Sequence, residues 1–99
     1  MSLNINEEVL TADKTMLSAD VLYQFLDCDS ADRNVLLHSP ITEANFYVKN
    51  VGTSGDLTIL DELSASMIIL SANDVAEVLS SSDEWYLIGA DAGNVLVLE

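Results

Sequence analysis

The chain has 99 residues and a formal net charge of −14, with 17 acidic residues against 3 Lys and Arg. This length predicts one domain, residues 1–99, because a second core would not fit. Nucleic acid is excluded as a partner, since a protein that binds phosphates needs several cationic side chains. An anionic membrane surface would repel the chain for the same reason. The 49% hydrophobic content is high for so acidic a chain, so we expect some apolar surface to be buried between subunits.

The cysteine content and the N-terminus indicate in which cellular compartment the protein is expected. Cys28 is the only cysteine, so no internal disulfide can form to reinforce the fold in an oxidising compartment. The first residues lack the basic and long apolar regions of a signal peptide. The longest aliphatic runs, Met67–Leu70 and Val95–Leu98, are too short to span a bilayer. We therefore expect a soluble chain made in a cytoplasm.

Short apolar clusters, separated by turn residues, follow one another along the whole chain, which is typical of β-strands in a sandwich or barrel. The predicted strands are, in order, Leu3–Leu10, Tyr23–Leu26, Asn34–Leu37, Asn45–Lys49, Leu57–Leu60, Met67–Leu70, Val75–Leu79, Trp85–Ile88 and Val95–Leu98. Ser18–Asp27 and Val75–Ser81 also fit a helical turn, but both are short and flanked by turn residues, so strands are favoured. No strong internal repeat is evident. These features predict an all-β fold, a small antiparallel β-sandwich that is jelly-roll-like or barrel-like.

Some predicted strands are apolar on both faces. A two-layer sandwich should keep its outer face polar, so such strands must be covered on both sides, by the second sheet and by another subunit. The clearest examples are Met67–Leu70 and Val95–Leu98. The residues that we predict at a subunit interface are Met67, Ile69, Leu70, Val95 and Val97.

Three aspartates, Asp27, Asp29 and Asp32, lie in one predicted turn beside Arg33. Clustered carboxylates suit calcium, but the loop lacks the central glycine and the distal glutamate of an EF-hand. Arg33 offers a competing explanation, because its guanidinium can neutralise the aspartates and hold the turn through forked hydrogen bonds. We interpret these four residues as a structural turn and assign no metal ligand.

No residue pattern indicates catalysis. His38 is the only histidine, and its meeting Cys28 across a hairpin would be the one conceivable nucleophile and base pair. No nucleophile elbow, phosphate loop, dinucleotide fingerprint or zinc-protease motif occurs. Trp85 and Tyr86 could form a sugar-binding platform, but an aromatic pair on a strand is more typical of a core or an interface. We therefore predict no enzyme activity, no catalytic residue and no cofactor.

Three stretches resemble small structural proteins of tailed phages. Tyr23–Leu37 (YQFLDCDSADRNVLL) resembles their QFLDP-x-GADRDVLLP stretch. Phe46–Asn50 (FYVKN) followed by Leu57–Ile59 (LTI) resembles their F-x-I-x-N … LTV hairpin, and Ser80–Gly89 (SSSDEWYLIG) resembles their VSDGTxWYxIG segment. Together the stretches cover most of the chain in the family's order. The chain departs from the pattern at three turns, where Cys28 replaces a proline, His38-Ser39-Pro40 replaces Leu-Pro, and Glu84 replaces a glycine.

This resemblance implies a β-rich homotrimer of a head decoration (cement) protein, a head fibre or a tail fibre. A free-standing chain of this length, without a fibrous shaft, favours a decoration protein that binds the major capsid protein and stabilises the shell. Its location would be the capsid surface of the virion, after synthesis in the host cytoplasm. An N-terminal arm over residues 1–12 would reach the shell through Leu3, Ile5, Val9 and Leu10. The alternatives are a tail or head-fibre module and a carbohydrate-binding module that uses Trp85, Tyr86 and the acidic loops.

Overall fold

A computed structural model describes residues 4–17, 20–37, 44–81 and 83–91 of the chain. Within these ranges the chain forms nine β-strands and no helix, so it contains no helix that could cross a membrane. The strands are β1 (Ile5–Val9), β2 (Lys14–Thr15), β3 (Tyr23–Asp27), β4 (Arg33–Leu36), β5 (Asn45–Asn50), β6 (Leu57–Leu60), β7 (Ser66–Leu70), β8 (Val75–Ser80) and β9 (Trp85–Asp91). The predicted all-β class is confirmed.

Every predicted strand that falls in the described residues overlaps an observed one, and β6 has the predicted bounds. The two segments that also fitted a helical turn contain the strands β3 and β8, so the predicted strands are confirmed there. The two-residue strand β2 is not predicted, because so short a pairing has no periodicity of its own. The predicted strand Val95–Leu98 lies outside the described residues.

The strands form a five-stranded sheet with the order β1-β3-β5-β8-β9 and a four-stranded sheet with the order β2-β4-β6-β7. From β1 to β6 the chain alternates between the two sheets, and each return places a strand parallel to the previous strand of that sheet. The chain therefore winds as a coil. In the second turn of the coil, Tyr23 pairs with Tyr47 and Arg33 pairs with Leu57, so this turn spans the same number of residues in both sheets. The first turn is shorter and differs between the sheets, since Ile5 pairs with Tyr23 and Lys14 pairs with Val35.

After β6 the winding ends and the chain reverses direction. β7 lies antiparallel to β6, and β8 and β9 extend the five-stranded sheet in antiparallel order. The predicted antiparallel arrangement is thus wrong for the four parallel pairs among the seven that join the described strands. The hairpin expected between Phe46–Asn50 and Leu57–Ile59 is wrong too, since β5 and β6 lie in different sheets. A period of two shows which face of a strand is buried, but it is the same for parallel and antiparallel neighbours.

Both sheets contribute alternate side chains to one hydrophobic core. In β5, Phe46 and Val48 are buried, and the residues between them are partly exposed. In β6, Leu57 and Ile59 follow the same alternation from the other sheet. The Phe46 ring stacks on the ring of Trp85, with 5.9 Å between the ring centroids. The buried hydrophobic residues are Leu10, Met16, Leu26, Cys28, Val35, Leu37, Phe46, Val48, Leu57, Ile59, Ile68, Leu70, Ala76, Val78 and Trp85.

Asn50, at the end of β5, is fully buried and connects the two sheets. Its Nδ2 donates to the Gly55 carbonyl (3.1 Å) and to the Leu70 carbonyl (2.9 Å), and Leu70 belongs to the four-stranded sheet. Its Oδ1 accepts from the backbone N–H of Gly52 at 3.0 Å. One side chain thus satisfies three buried or partly buried backbone groups, which would otherwise be costly to leave without a partner.

Candidate interaction surfaces

The outer face of the four-stranded sheet contains no charged side chain in its two central rows. One row is formed by Asn34, Thr58 and Ile69, which are neighbours on β4, β6 and β7. The second row contains Leu36 and Leu60, both partly exposed. Ile69, on the edge strand β7, is 50% exposed although its side chain is aliphatic. We call these five residues the neutral face.

The residues predicted at a subunit interface lie in three different environments. Ile69 is on the neutral face and is open to solvent. Met67 is half-buried and packs against the core, and Leu70 is fully buried within it, so Leu70 has no surface to offer a second subunit. The prediction failed at Leu70 because a strand that is apolar at every position still directs alternate residues inward. Val95 and Val97 lie outside the described residues.

The outer face of the five-stranded sheet combines aromatic residues with charges. Its central row crosses all five strands through Ile5, Tyr23, Tyr47, Glu77 and Gly89. A second row crosses them through Glu7, Phe25, Lys49, Val75 and Asp91. We call these ten residues the acidic aromatic face. With one lysine against three carboxylates, the face is acidic.

Tyr23 and Tyr47 stack on each other, with 5.2 Å between ring centroids and 18° between ring planes. This separation is close to the ~4.8 Å between neighbouring strands, so the ring faces point along the row rather than outward. A hydrogen bond from the Tyr47 hydroxyl to the Glu77 carboxylate raises the pKa of Tyr47. Glu77 also accepts a hydrogen bond from Asn45 Nδ2, at 3.1 Å from Oε2, so two donors orient its carboxylate.

The predicted shell-contacting arm is not a free segment over its described part. β1 pairs in parallel with β3 along all five of its residues, and the Leu10 N–H donates to the Asp27 carbonyl at 2.7 Å. Leu10 is buried in the core, whereas Ile5 and Val9 are exposed on the outer side of the five-stranded sheet. An apolar pattern at a chain end fits an edge strand as well as an arm, and pairing with β3 satisfies its backbone. Leu3 lies outside the described residues.

Of the four residues predicted as a structural turn, Asp27, Asp32 and Arg33 contact backbone groups through their side chains. Asp27 Oδ1 accepts from the Asp29 N–H at 2.8 Å. Asp29 and Ser30 have φ angles of 58° and 65°, a left-handed conformation that aspartate tolerates better than most residues. Arg33 Nε donates to the Cys28 carbonyl at 3.3 Å. Among the described residues, no group of three or more His, Cys, Asp and Glu side chains is arranged to hold a metal ion.

Aspartates at the beginning of successive turns of the coil form a series of hydrogen bonds that the sequence did not predict. Asp13 Oδ1 accepts from the backbone N–H of Asn34 at 2.9 Å, and Asp32 Oδ1 accepts from the N–H of Asp56 at 2.9 Å. Asp56 Oδ1 in turn accepts from the Ser71 hydroxyl at 3.2 Å. Asp13 and Asp32 thus reach the next layer of the coil, and Asp56 reaches the turn after β7, and each carboxylate satisfies a donor there.

The residues considered for sugar binding or nucleophilic catalysis are not brought together into a site within the part of the chain that the structure describes. Trp85 is buried against Phe46, so its ring is not open to a sugar, whereas Tyr86 is exposed. Cys28 is buried, and burial together with the nearby Asp27 carboxylate raises the pKa of its thiol, which disfavours the thiolate needed for nucleophilic attack. His38, which the sequence paired hypothetically with Cys28, lies outside the described residues.

Comparison of the chain with protein-family models, with curated proteins and with solved structures gives no match to any of them.

Proposed function

We propose that this protein is a non-catalytic structural subunit that associates with copies of itself, and that it decorates the outside of a phage head shell. The observation that carries the proposal is the neutral face. On a chain with a net charge of −14, most surfaces of two copies would repel each other. The central rows of the neutral face contain no charge, and Asp13, which accepts from the Asn34 N–H, lies at the end of the row away from Ile69. Copies that meet around Ile69 can therefore bury it without bringing carboxylates together.

The resemblance to tailed-phage structural proteins supplies the rest of this proposal. A homotrimer would place three shell-binding surfaces on one particle, and avidity would multiply the effect of each weak contact. Binding only to the assembled shell would favour that shell by mass action. The major capsid protein is the proposed partner, and the capsid surface of the virion is the proposed location. In this assembly the two sheets would pack as a small sandwich around their shared core.

A head-fibre or tail-fibre module is the second candidate, and the coil favours it. β1 and β2, which belong to the first turn of the coil, are edge strands of their sheets. Their outer edges could accept the backbone of a further coil, as happens between neighbouring repeats of a solenoid. A fibre module would form end-to-end assemblies rather than a closed trimer.

Native mass measured by size exclusion with light scattering tests self-association. We expect a trimer for the natural chain and a monomer for Ile69→Asp, because the substitution would bury a carboxylate in each contact. Ile5→Asp is the matched control, since Ile5 is 46% exposed on the opposite face and should leave the trimer intact. Circular dichroism verifies that both variants fold. A monomeric natural chain, or a trimeric Ile69→Asp variant, would contradict the proposal, and a ladder of larger masses would favour the fibre module.

Shell binding is tested separately by co-sedimentation with head shells assembled from the major capsid protein of the same virus. We expect the natural chain to sediment with the shells and to raise the temperature at which they disassemble. A chain that remains in the supernatant at saturating concentration would refute the decoration function while leaving self-association intact.

A further inference from the structure

The acidic aromatic face contains a notch at Gly89. The notch has a volume of about 200 Å³, and it is lined by Tyr47, Val75, Ala76, Glu77, Gly89, Ala90 and Asp91. It exists because Gly89, which pairs with Glu77 across β8 and β9, contributes no side chain to the row. Among the residues that the structure describes, a methyl group built at Gly89 would have only Glu77 Oε1 nearby, at 4.0 Å, so they leave this space open. Small-molecule sites usually measure ~300–1,000 Å³, whereas this notch suits one side chain.

We propose that the acidic aromatic face docks a partner protein by receiving an arginine side chain in this notch. The aliphatic stem of the arginine lies over Val75 and the backbone of Gly89. Its guanidinium group contacts the Tyr47 ring and the carboxylates of Glu77 and Asp91.

Three features of the notch select arginine. One face of the Tyr47 ring is covered by Tyr23, and on its other side the next residue in the row is Glu77, with which Tyr47 lines the notch. A planar guanidinium can stack on an aromatic face and donate to carboxylates at the same time, whereas a lysine ammonium is a point charge with a stronger hydration shell. The apolar floor suits the methylene stem, which a metal ion or a free ammonium ion does not have.

The charge distribution indicates that the arginine comes from a different protein. The chain has three cationic residues. Arg33 is half-buried and donates to the Cys28 carbonyl, and Lys14 forms a 3.0 Å ion pair with Glu8. Lys49 lies on the acidic aromatic face itself, two strands from Asp91. A second copy would therefore bring carboxylates toward carboxylates, while a basic partner surface would be complementary.

The test is a titration of the ¹⁵N-labelled full chain with acetyl-Gly-Arg-Gly-amide, followed by backbone amide chemical shifts. We expect saturable shifts centred on Tyr47, Gly89 and Asp91. The same peptide with citrulline, which keeps the shape and loses the charge, should bind about tenfold more weakly, since it loses the cation–π contact and the ion pairs. The lysine peptide should also bind more weakly than the arginine peptide.

Two variants locate the site. Gly89→Leu fills the notch and should abolish the shifts, and Asp91→Asn should weaken binding about two- to fivefold, the size expected for one exposed ion pair. Asp29→Asn removes the same charge from an exposed left-handed turn position and should change nothing. Unchanged binding by Gly89→Leu, or equal binding of the citrulline peptide, would overturn the proposal. Because the readout is peptide binding, this result is independent of self-association through the neutral face.

Discussion

The outer faces of the two sheets use acidic residues in opposite ways. On the five-stranded sheet, Glu7, Glu77 and Asp91 belong to the strands themselves and lie on the outer face. Around the four-stranded sheet, Asp13 and Asp32 precede strands and accept hydrogen bonds from the backbone of the next coil. The first group gives a surface its charge, and the second group holds successive layers together while the neutral face stays uncharged. Net charge alone therefore says little about where a strongly acidic chain can meet another protein.

The largest loss of stability is expected from removing the Asn50 side chain, because it joins the two sheets and so supports both outer faces. Asn50→Ala removes three hydrogen bonds and leaves the Gly52 N–H and the carbonyls of Gly55 and Leu70 without that partner. Each unsatisfied buried group costs about 1–3 kcal/mol, so we expect the free energy of unfolding to fall by about 3–5 kcal/mol. Urea unfolding followed by tryptophan fluorescence of Trp85 measures this loss.

Asn45→Ala is the matched control for Asn50→Ala. Asn45 also donates two hydrogen bonds, to Glu77 Oε2 and to the Val78 carbonyl, but it is only partly buried and both bonds stay within the five-stranded sheet. We expect a loss of about 1 kcal/mol. Equal losses for the two variants would mean that Asn50 does not couple the sheets more strongly than an ordinary side chain within one of them.

A pair of glycine substitutions compares the tightly packed turn at Gly55 with the open outer face at Gly89. Gly55 has a φ of 91°, and a methyl group there would lie 2.6 Å from the Ala31 carbonyl oxygen in the preceding coil. Gly55→Ala should therefore lower the free energy of unfolding by about 2–3 kcal/mol. Gly89→Ala meets open space in an extended strand and should raise it by about 0.4–1 kcal/mol, because alanine restricts the unfolded chain. Thermal unfolding of both variants checks the signs, and destabilisation by Gly89→Ala would mean that the notch is not open.

The sequence predicted the strands better than their arrangement. The alternation of Phe46, Val48 and Asn50 with partly exposed residues is a local property, and it identifies β5 without knowledge of its neighbours. The direction of pairing depends on how the chain returns, which a period of two does not record. The predicted strand ends at Lys49, before Asn50, and nothing in the local sequence shows that the Asn50 amide reaches Leu70 in the other sheet.

A signal for the coil was nevertheless present as a weak repeat. Thr11–Leu17 (TADKTML), Ser30–Leu36 (SADRNVL) and Ser54–Leu60 (SGDLTIL) share a small hydroxyl residue, a small residue, an aspartate, a polar residue two positions later and a final apolar pair. In the structure the second and third copies are in register, with Ser54 Oγ donating to Ser30 Oγ at 3.1 Å. The first copy is displaced by two residues, because Lys14 pairs with Val35. That displacement and the unequal spacing explain why the repeat is hard to recognise.

The smallest effect is expected from the surface link between the first strands of the two sheets. Lys14 Nζ on β2 lies 3.0 Å from Glu8 Oε1 on β1. A hydrogen bond from Asn6 and the interaction with Lys14 lower the pKa of Glu8 below 4.5. Because the pair is exposed, Glu8→Gln should lower the free energy of unfolding by about 0.2–1 kcal/mol at pH 7, and less in high salt.

The pH dependence of this difference decides whether the charge of the Glu8 carboxylate causes it. A carboxylate whose pKa is lower in the folded state stabilises the fold fully above its unfolded pKa, and the stabilisation disappears as the pH falls through the folded value. The gap between the natural chain and Glu8→Gln should therefore close on acidification in urea unfolding measured at stepwise lower pH. Glu7→Gln is the control, since Glu7 points outward and forms no ion pair among the described residues. A gap that stays constant into acid would show that Glu8 acts through neutral packing rather than through its charge.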